Sequence, residues 1–173
     1  MASSHPPVGP KVEIRIREAT ALDLPHILGF IRALATYERL IDQVEADEEK
    51  LGRTLFPADG SPSAAHVLIG EVAGRPAGFA LYFFNYSTFL AKPGLYVEDL
   101  FVEPQSRRLG LGRALLLRAA RTARERGCGR MEWSVLDWNR PAIDFYRSLG
   151  AVPLDDWTVF RLTGAALRDL PGA

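Results

Sequence analysis

Arginine and glycine carry the first chemistry legible in this chain. Arg107-Arg108-Leu109-Gly110-Leu111-Gly112-Arg113 follows a strand-like run ending at Pro104 and opens a stretch of apolar residues at helical spacing. Glycines at 110 and 112 let the backbone turn tightly and approach a ligand with no Cβ in the way. The free N–H groups of a helix start, with the helix dipole behind them, favour an anion. Arg107, Arg108 and Arg113 add positive charge beside it. Together these suit a pyrophosphate. The spacing is not Gly-x-Gly-x-x-Gly and no Lys-Ser or Lys-Thr follows, which sets aside the dinucleotide fingerprint and the nucleotide triphosphate loop. A helix-start glycine pair is by itself most often a structural cap; the preceding strand, the arginines and the long helix point to the anion.

Charge is distributed unevenly around this loop, although 21 Lys plus Arg balance 21 Asp plus Glu. Residues 105–130 hold eight arginines (107, 108, 113, 118, 121, 124, 126, 130) against Glu125. Residues 38–50 hold six acids (Glu38, Asp42, Glu45, Asp47, Glu48, Glu49) against Arg39 and Lys50. A basic stripe serves a phosphorylated ligand or nucleic acid, or is only a solvated helix face.

The elements that must position these groups follow from periodicity. Residues 1–10, with three prolines and no pattern, read as a flexible tail, and 11–173 as a single domain. Val12, Ile14 and Ile16 alternate with charged residues as in a half-buried first strand. Thr20 with Asp23 three residues on is a short capping box. Leu24, Ile27, Leu28, Ile31, Leu34 and Ala35 then recur at helical steps. A second helix is expected over 47–55. Residues 66–72 and 76–84 are strands joined by the hairpin Ala73-Gly74-Arg75. Further strands are expected over 95–102, 130–136 and 157–162, with helices over 112–126 and 140–149. Gly150 stands where a left-handed helix cap belongs. The order β-α-α-β-β-β-α-β-α-β is a mixed α/β layered domain.

At this point the chain resembles a known family. Arg-x-x-Gly-x-Gly between a strand and a helix resembles the acetyl-CoA loop of the GNAT acetyltransferases. Val135-Leu136-Asp137-Trp138-Asn139-Arg140-Pro141-Ala142, followed by Phe145-Tyr146 and Leu149-Gly150-Ala151, resembles that superfamily's second cofactor segment. More narrowly, Tyr37-Glu38, Asp42-Gln43-Val44, Tyr96-Val97-Glu98-Asp99 and Asp137-Trp138-Asn139 resemble the spermidine/spermine and thialysine N-acetyltransferases. The resemblance spans 12–162. It implies a central sheet splayed open around acetyl-CoA, with backbone groups of Leu100, Phe101 and Val102 on the pantetheine. It also implies Arg107, Arg108, Leu109, Gly110, Leu111, Gly112 and Arg113 around the pyrophosphate, and Asn139 on the pantetheine. Position 108 is Arg where relatives often carry Gly.

Acetyl transfer from a thioester to an amine needs a neutral amine, a polarised carbonyl and a protonated leaving thiol. Glu98, just before the phosphate loop, is the candidate carboxylate that attracts the ammonium and takes its proton; its bland reading is an exposed strand acid. Tyr146 reads on spacing alone as a packed helix aromatic. The resemblance makes it the general acid for the thiolate, next to the cofactor. Tyr37, Glu38, Ser87, Glu98 and Asp99 are the expected amine-binding set. The spermidine-acetylating relatives carry an acid where this chain has Ser87, which favours a thialysine-like amino acid over a polyamine.

Composition bounds the remainder. A 47% hydrophobic share builds a core and excludes general disorder. No apolar run approaches the roughly 20 residues of a membrane helix, and the N-terminus does not read as a secretory signal. Cys128 alone excludes an internal disulfide, and His5, His26 and His66 lack metal-ligand spacing. The expectation is therefore a cytoplasmic, metal-free enzyme with no nucleic-acid or membrane partner, and the family resemblance, with the aromatics around 83–89, implies a homodimer. A protein N-terminal or lysine acetyltransferase and a non-catalytic acyl-CoA-binding module are the alternatives.

Overall fold

The β2–β3 hairpin sets the register from which the sheet grows. Ala73 and Gly74 both have positive φ (49° and 75°), the two-residue turn whose twist matches that of flanking strands. It joins β2 (His66–Val72) to β3 (Arg75–Ser87). β1 (Ile14–Glu18) pairs antiparallel with β2, and β3 pairs antiparallel with β4 (Lys92–Val102). β5 (Arg130–Trp133) lies parallel to β4, giving the order β1-β2-β3-β4-β5. This computed structural model describes residues 12–171, so the expected tail over 1–10 lies outside the described residues.

Helices cover both faces of the sheet. Ile27 and Phe30 of α1 (Leu24–Glu38) and Leu55 of α2 (Glu48–Leu55) bury against Val67, Ile69, Phe79 and Phe101. Val67 and Ile69 alternate on β2 with Leu68 and Gly70, which face the other side. There Leu111 and Leu115 of α3 (Leu111–Glu125) press on Gly70; a Cβ at 70 would lie 2.7 Å from Leu111 Cδ1. Gly70 is thus the residue that admits α3 to the sheet.

The start of α1 is fixed by charge. Arg17 holds Asp23 through two bonds of 2.7 and 2.8 Å and Glu71 through Nε at 2.6 Å. The Arg17 hydrogen bond holds Asp23 well below its ordinary range, at about 2. The Thr20 N–H also donates to Asp23 (2.8 Å). The expected capping box is present, but it opens a 3-10 turn at Ala21–Asp23 before α1 begins.

The chain divides into two compact units, 12–134 and 135–171 among the described residues. In the second, Asn139 caps α4 (Arg140–Ser148), its Oδ1 accepting from the Ala142 N–H, and Pro141 occupies the first turn. Gly150, at φ 86°, ends it as expected; the Ala151 N–H returns to the Tyr146 carbonyl (3.2 Å). A short helix, α5 (Gly164–Arg168), follows where none was expected. The expected strand over 157–162 is absent. A strand exists only by pairing; within 152–162 the backbone makes instead a local turn, Trp157 N–H to Leu154 O (3.3 Å). Trp157, Val159 and Phe160 are accordingly exposed. β5 also stops at Trp133, short of residue 136. Among the described residues no helix is long and apolar enough to cross a membrane.

Candidate active site

β4 carries a β-bulge at the residues singled out for chemistry. Leu81 pairs with Asp99 but Tyr82 pairs with Val97, leaving Glu98 as the extra residue. Val97 is 2% exposed and Glu98 faces solvent. Asp99 is partly buried, and burial pushes its carboxyl up to about 6, with Glu98 and Glu38 adding to the rise. Burial also raises the Glu38 carboxyl. Glu38 is the last residue of α1, which Arg39 closes in the left-handed conformation (φ 63°). Glu38, Glu98 and Asp99 therefore form one acidic group, from two elements, with no ion pair to a cation among the described residues. Such a group attracts an ammonium, and a carboxyl titrating near 6 can take a proton at neutral pH.

The pairing pattern opens the sheet beside this group. β5 accompanies β4 only over Gly94 to Val97. From Glu98 to Val102 that side of β4 has no strand partner among the described residues, as the expectation of a splayed sheet requires. Leu100 and Phe101 are paired with Ala80 and Phe79 on the other side, and Phe101 is buried under α1.

The phosphate loop follows β4 through a 3-10 turn at Pro104–Ser106. Arg108 (φ 64°) and Gly110 (φ 93°) both turn left-handed, which reverses the chain into α3. The first intrahelical bond is Ala114 N–H to Gly110 O (3.0 Å), so the N–H groups of Leu111, Gly112 and Arg113 precede the ladder. No atom lies within 4 Å of where a Gly110 Cβ would stand, and α3 has no acid in its first turn. These features fit the diphosphate of a CoA thioester. Arg107, though exposed, also bonds back onto the protein. Its Nε donates to the Val102 carbonyl (3.0 Å), and its guanidinium lies 5.0 Å above the Tyr37 ring and 6.0 Å from that of Phe101.

The other expected site residues are placed as follows. Tyr37 and Glu38 share the end of α1, and Leu109 and Arg113 flank the loop at the surface. Ser87 is not brought to the acidic group within one chain. It pairs with Lys92 at the far end of the hairpin, about 20 Å along the strand from the bulge. It is 3% exposed, and its Oγ accepts from the Leu90 N–H (3.3 Å). Its hydroxyl shapes a turn instead of facing a ligand. Asn139 and Tyr146 lie in the second unit; Asn139 is the α4 cap and Tyr146 stacks obliquely on Phe145 (5.3 Å).

Three features escaped the sequence: the bulge that separates Glu98 from Asp99, the left-handed Arg108, and the Arg107–Tyr37 stack. The first two had a faint signal. Two adjacent acids cannot both follow strand alternation, and an Arg at a position where relatives carry Gly hints at positive φ.

Comparison with known proteins agrees with this geometry. The model of the acetyltransferase (GNAT) family matches residues 25–151. The thialysine N-epsilon-acetyltransferase of Bos taurus is 38% identical over 170 residues, covering 92% of this chain and 98% of the relative. The L-ornithine N5-acetyltransferase of Arabidopsis thaliana is 35% identical over 206 residues, covering 94% and 90%. An integron cassette protein from the mobile metagenome of V. cholerae superposes with a TM-score of 0.74 at 25% identity, covering 92% of this chain and 98% of that one. A splayed sheet, a positively flanked glycine loop at a helix start and relatives matched over nearly their whole length lead to one assignment: the chain is an acetyl-CoA-dependent N-acetyltransferase of the GNAT family.

Proposed function

We propose that this enzyme acetylates the side-chain amine of a short diamino acid, of the thialysine or ornithine kind. The observation that carries the reading is the group Glu38, Glu98 and Asp99 beside the open stretch of β4. Two relatives matched over most of their length are named for such substrates, which supports the choice of a compact amino acid over a polyamine.

The mechanism follows from the roles of the residues. Acetyl-CoA supplies the acetyl thioester. The N–H groups of Leu111, Gly112 and Arg113, with Arg108 and Arg113, hold its diphosphate. Glu38 and Glu98 draw the substrate ammonium to the bulge. Asp99 takes one proton from it, because a carboxyl titrating near 6 is mostly ionised at neutral pH yet basic enough to accept. The neutral nitrogen forms the new N–C bond as the C–S bond breaks; Tyr146 gives its phenolic proton to the departing sulfur, and the second proton that the nitrogen sheds on becoming an amide passes to solvent, which returns the tyrosinate to phenol. A homodimer completes the proposal, supported by exposed apolar residues in each unit taken separately: Tyr86 and Phe89, and Trp157, Val159 and Phe160.

The test uses Glu38→Gln and Glu98→Gln. Each should raise the KM for thialysine about fivefold or more, as loss of a charged contact predicts, while CoA affinity measured by calorimetry stays unchanged. Unchanged KM in both variants overturns the assignment of the amine site.

A further inference from the structure

Arg107 is the one loop arginine whose side chain is tied back into the fold. Its Nε occupies the Val102 carbonyl at the end of β4, and its planar group rests on the Tyr37 face at 5.0 Å. Tyr37 immediately precedes Glu38, and Arg39 turns the chain away in a left-handed conformation directly afterwards. The final turn of α1 has no basic residue to hold it through the helix dipole. The stack on Arg107 therefore bears on where the Glu38 carboxylate stands. Two terminal nitrogens of Arg107 remain for an incoming diphosphate, since among the described residues its side chain is hydrogen-bonded through Nε alone.

We infer that Arg107 is a positioning residue that couples the two substrate sites: by stacking on Tyr37 and pinning Val102 it holds Glu38 toward the amine, and diphosphate binding stiffens the same contact. This rests on the functional reading above and deepens it. A lysine at 107 keeps the charge but has neither the planar face nor a fixed Nε. By linkage the coupling is reciprocal: what loosens Tyr37 must weaken diphosphate binding, although Tyr37 sits on another element.

The experiment has two arms. In the first, calorimetry measures CoA binding to wild type, Tyr37→Phe and Tyr37→Leu. An aromatic face under a cation is worth about two- to fivefold at a partly exposed site, so Tyr37→Leu should weaken CoA by that factor and Tyr37→Phe should restore it. In the second, thialysine KM is measured at saturating acetyl-CoA for wild type, Arg107→Lys, Tyr37→Leu and the double variant. Arg107→Lys should raise KM about two- to fivefold with kcat nearly unchanged. The double variant should be no worse than the worse single one. Wild-type CoA affinity in Tyr37→Leu, or multiplicative losses in the double variant, would overturn the inference. Should wild type acetylate no diamino acid, the functional reading fails instead, and the CoA arm still decides whether Arg107 and Tyr37 are coupled.

Discussion

Replacing Asp99 by Asn should stabilise the protein at alkaline pH while crippling it as an enzyme. The Asp99 carboxyl has an ordinary value of 3.8 and is raised to about 6 in the folded chain, by burial first and by Glu98 and Glu38 second. Between those values the folded state binds more protons than the unfolded one, so stability falls as pH rises through this window and is level above it. The full cost above the window is about 3 kcal/mol, reached by about pH 8, and about half of it is present at pH 5. Asparagine cannot ionise and escapes this cost. The stability of Asp99→Asn relative to wild type should therefore grow by about 1.5 kcal/mol between pH 5 and pH 8. Urea unfolding of both proteins at the two values measures it, and the comparison of pH dependence cancels any fixed packing difference. Over the same range kcat/KM for thialysine should drop about 100-fold, the usual contribution of a positioned base. A gap that does not widen with pH would show that Asp99 is not held in a disfavoured charged form, and would refute the reasoning.

Three further outcomes are expected. Arg108→Gly should stabilise the fold by about 1 kcal/mol in urea unfolding, because a left-handed backbone costs a side-chain-bearing residue about that much; an unchanged or lower midpoint contradicts it. Gly110→Val should reduce CoA affinity at least about tenfold, since its Cβ enters space the protein leaves empty and φ of 93° strains any branched residue; calorimetry with wild-type affinity removes the phosphate site. Tyr146→Phe keeps the ring stacked on Phe145 but loses the donor, so kcat should fall about 100-fold at unchanged CoA affinity; a wild-type kcat withdraws the proton-donor role.

Periodic burial made the scaffold legible, and special backbone geometry hid the rest. The strand run at 66–72 and the helical repeat from Leu111 to Ala123 survive in the structure because the first is buried on both faces and the second along one. The 157–162 run has the same apolar content but no partner strand, and composition cannot report whether a neighbour exists. The loop over 107–113 could be assigned from residue type alone, since glycine and arginine act through backbone freedom and charge. The division of labour at the bulge could not. Which of two adjacent acids is buried depends on a one-residue slip between β3 and β4, invisible in either strand read singly. Ser87 shows the converse limit: its identity suggested a contact with substrate, while the hairpin uses its hydroxyl to close a turn.

The measurement that bears most directly on the central claim is product identification. The purified chain is incubated with acetyl-CoA and, in separate reactions, thialysine, ornithine, spermidine and a lysine-containing peptide, and kcat/KM is determined for each by thiol release and mass spectrometry. The account predicts N-acetylated diamino acid as the favoured product, with thialysine or ornithine ahead of both spermidine and the peptide. A clear preference for the peptide, or no acetyl transfer to any amine despite tight CoA binding, would contradict it.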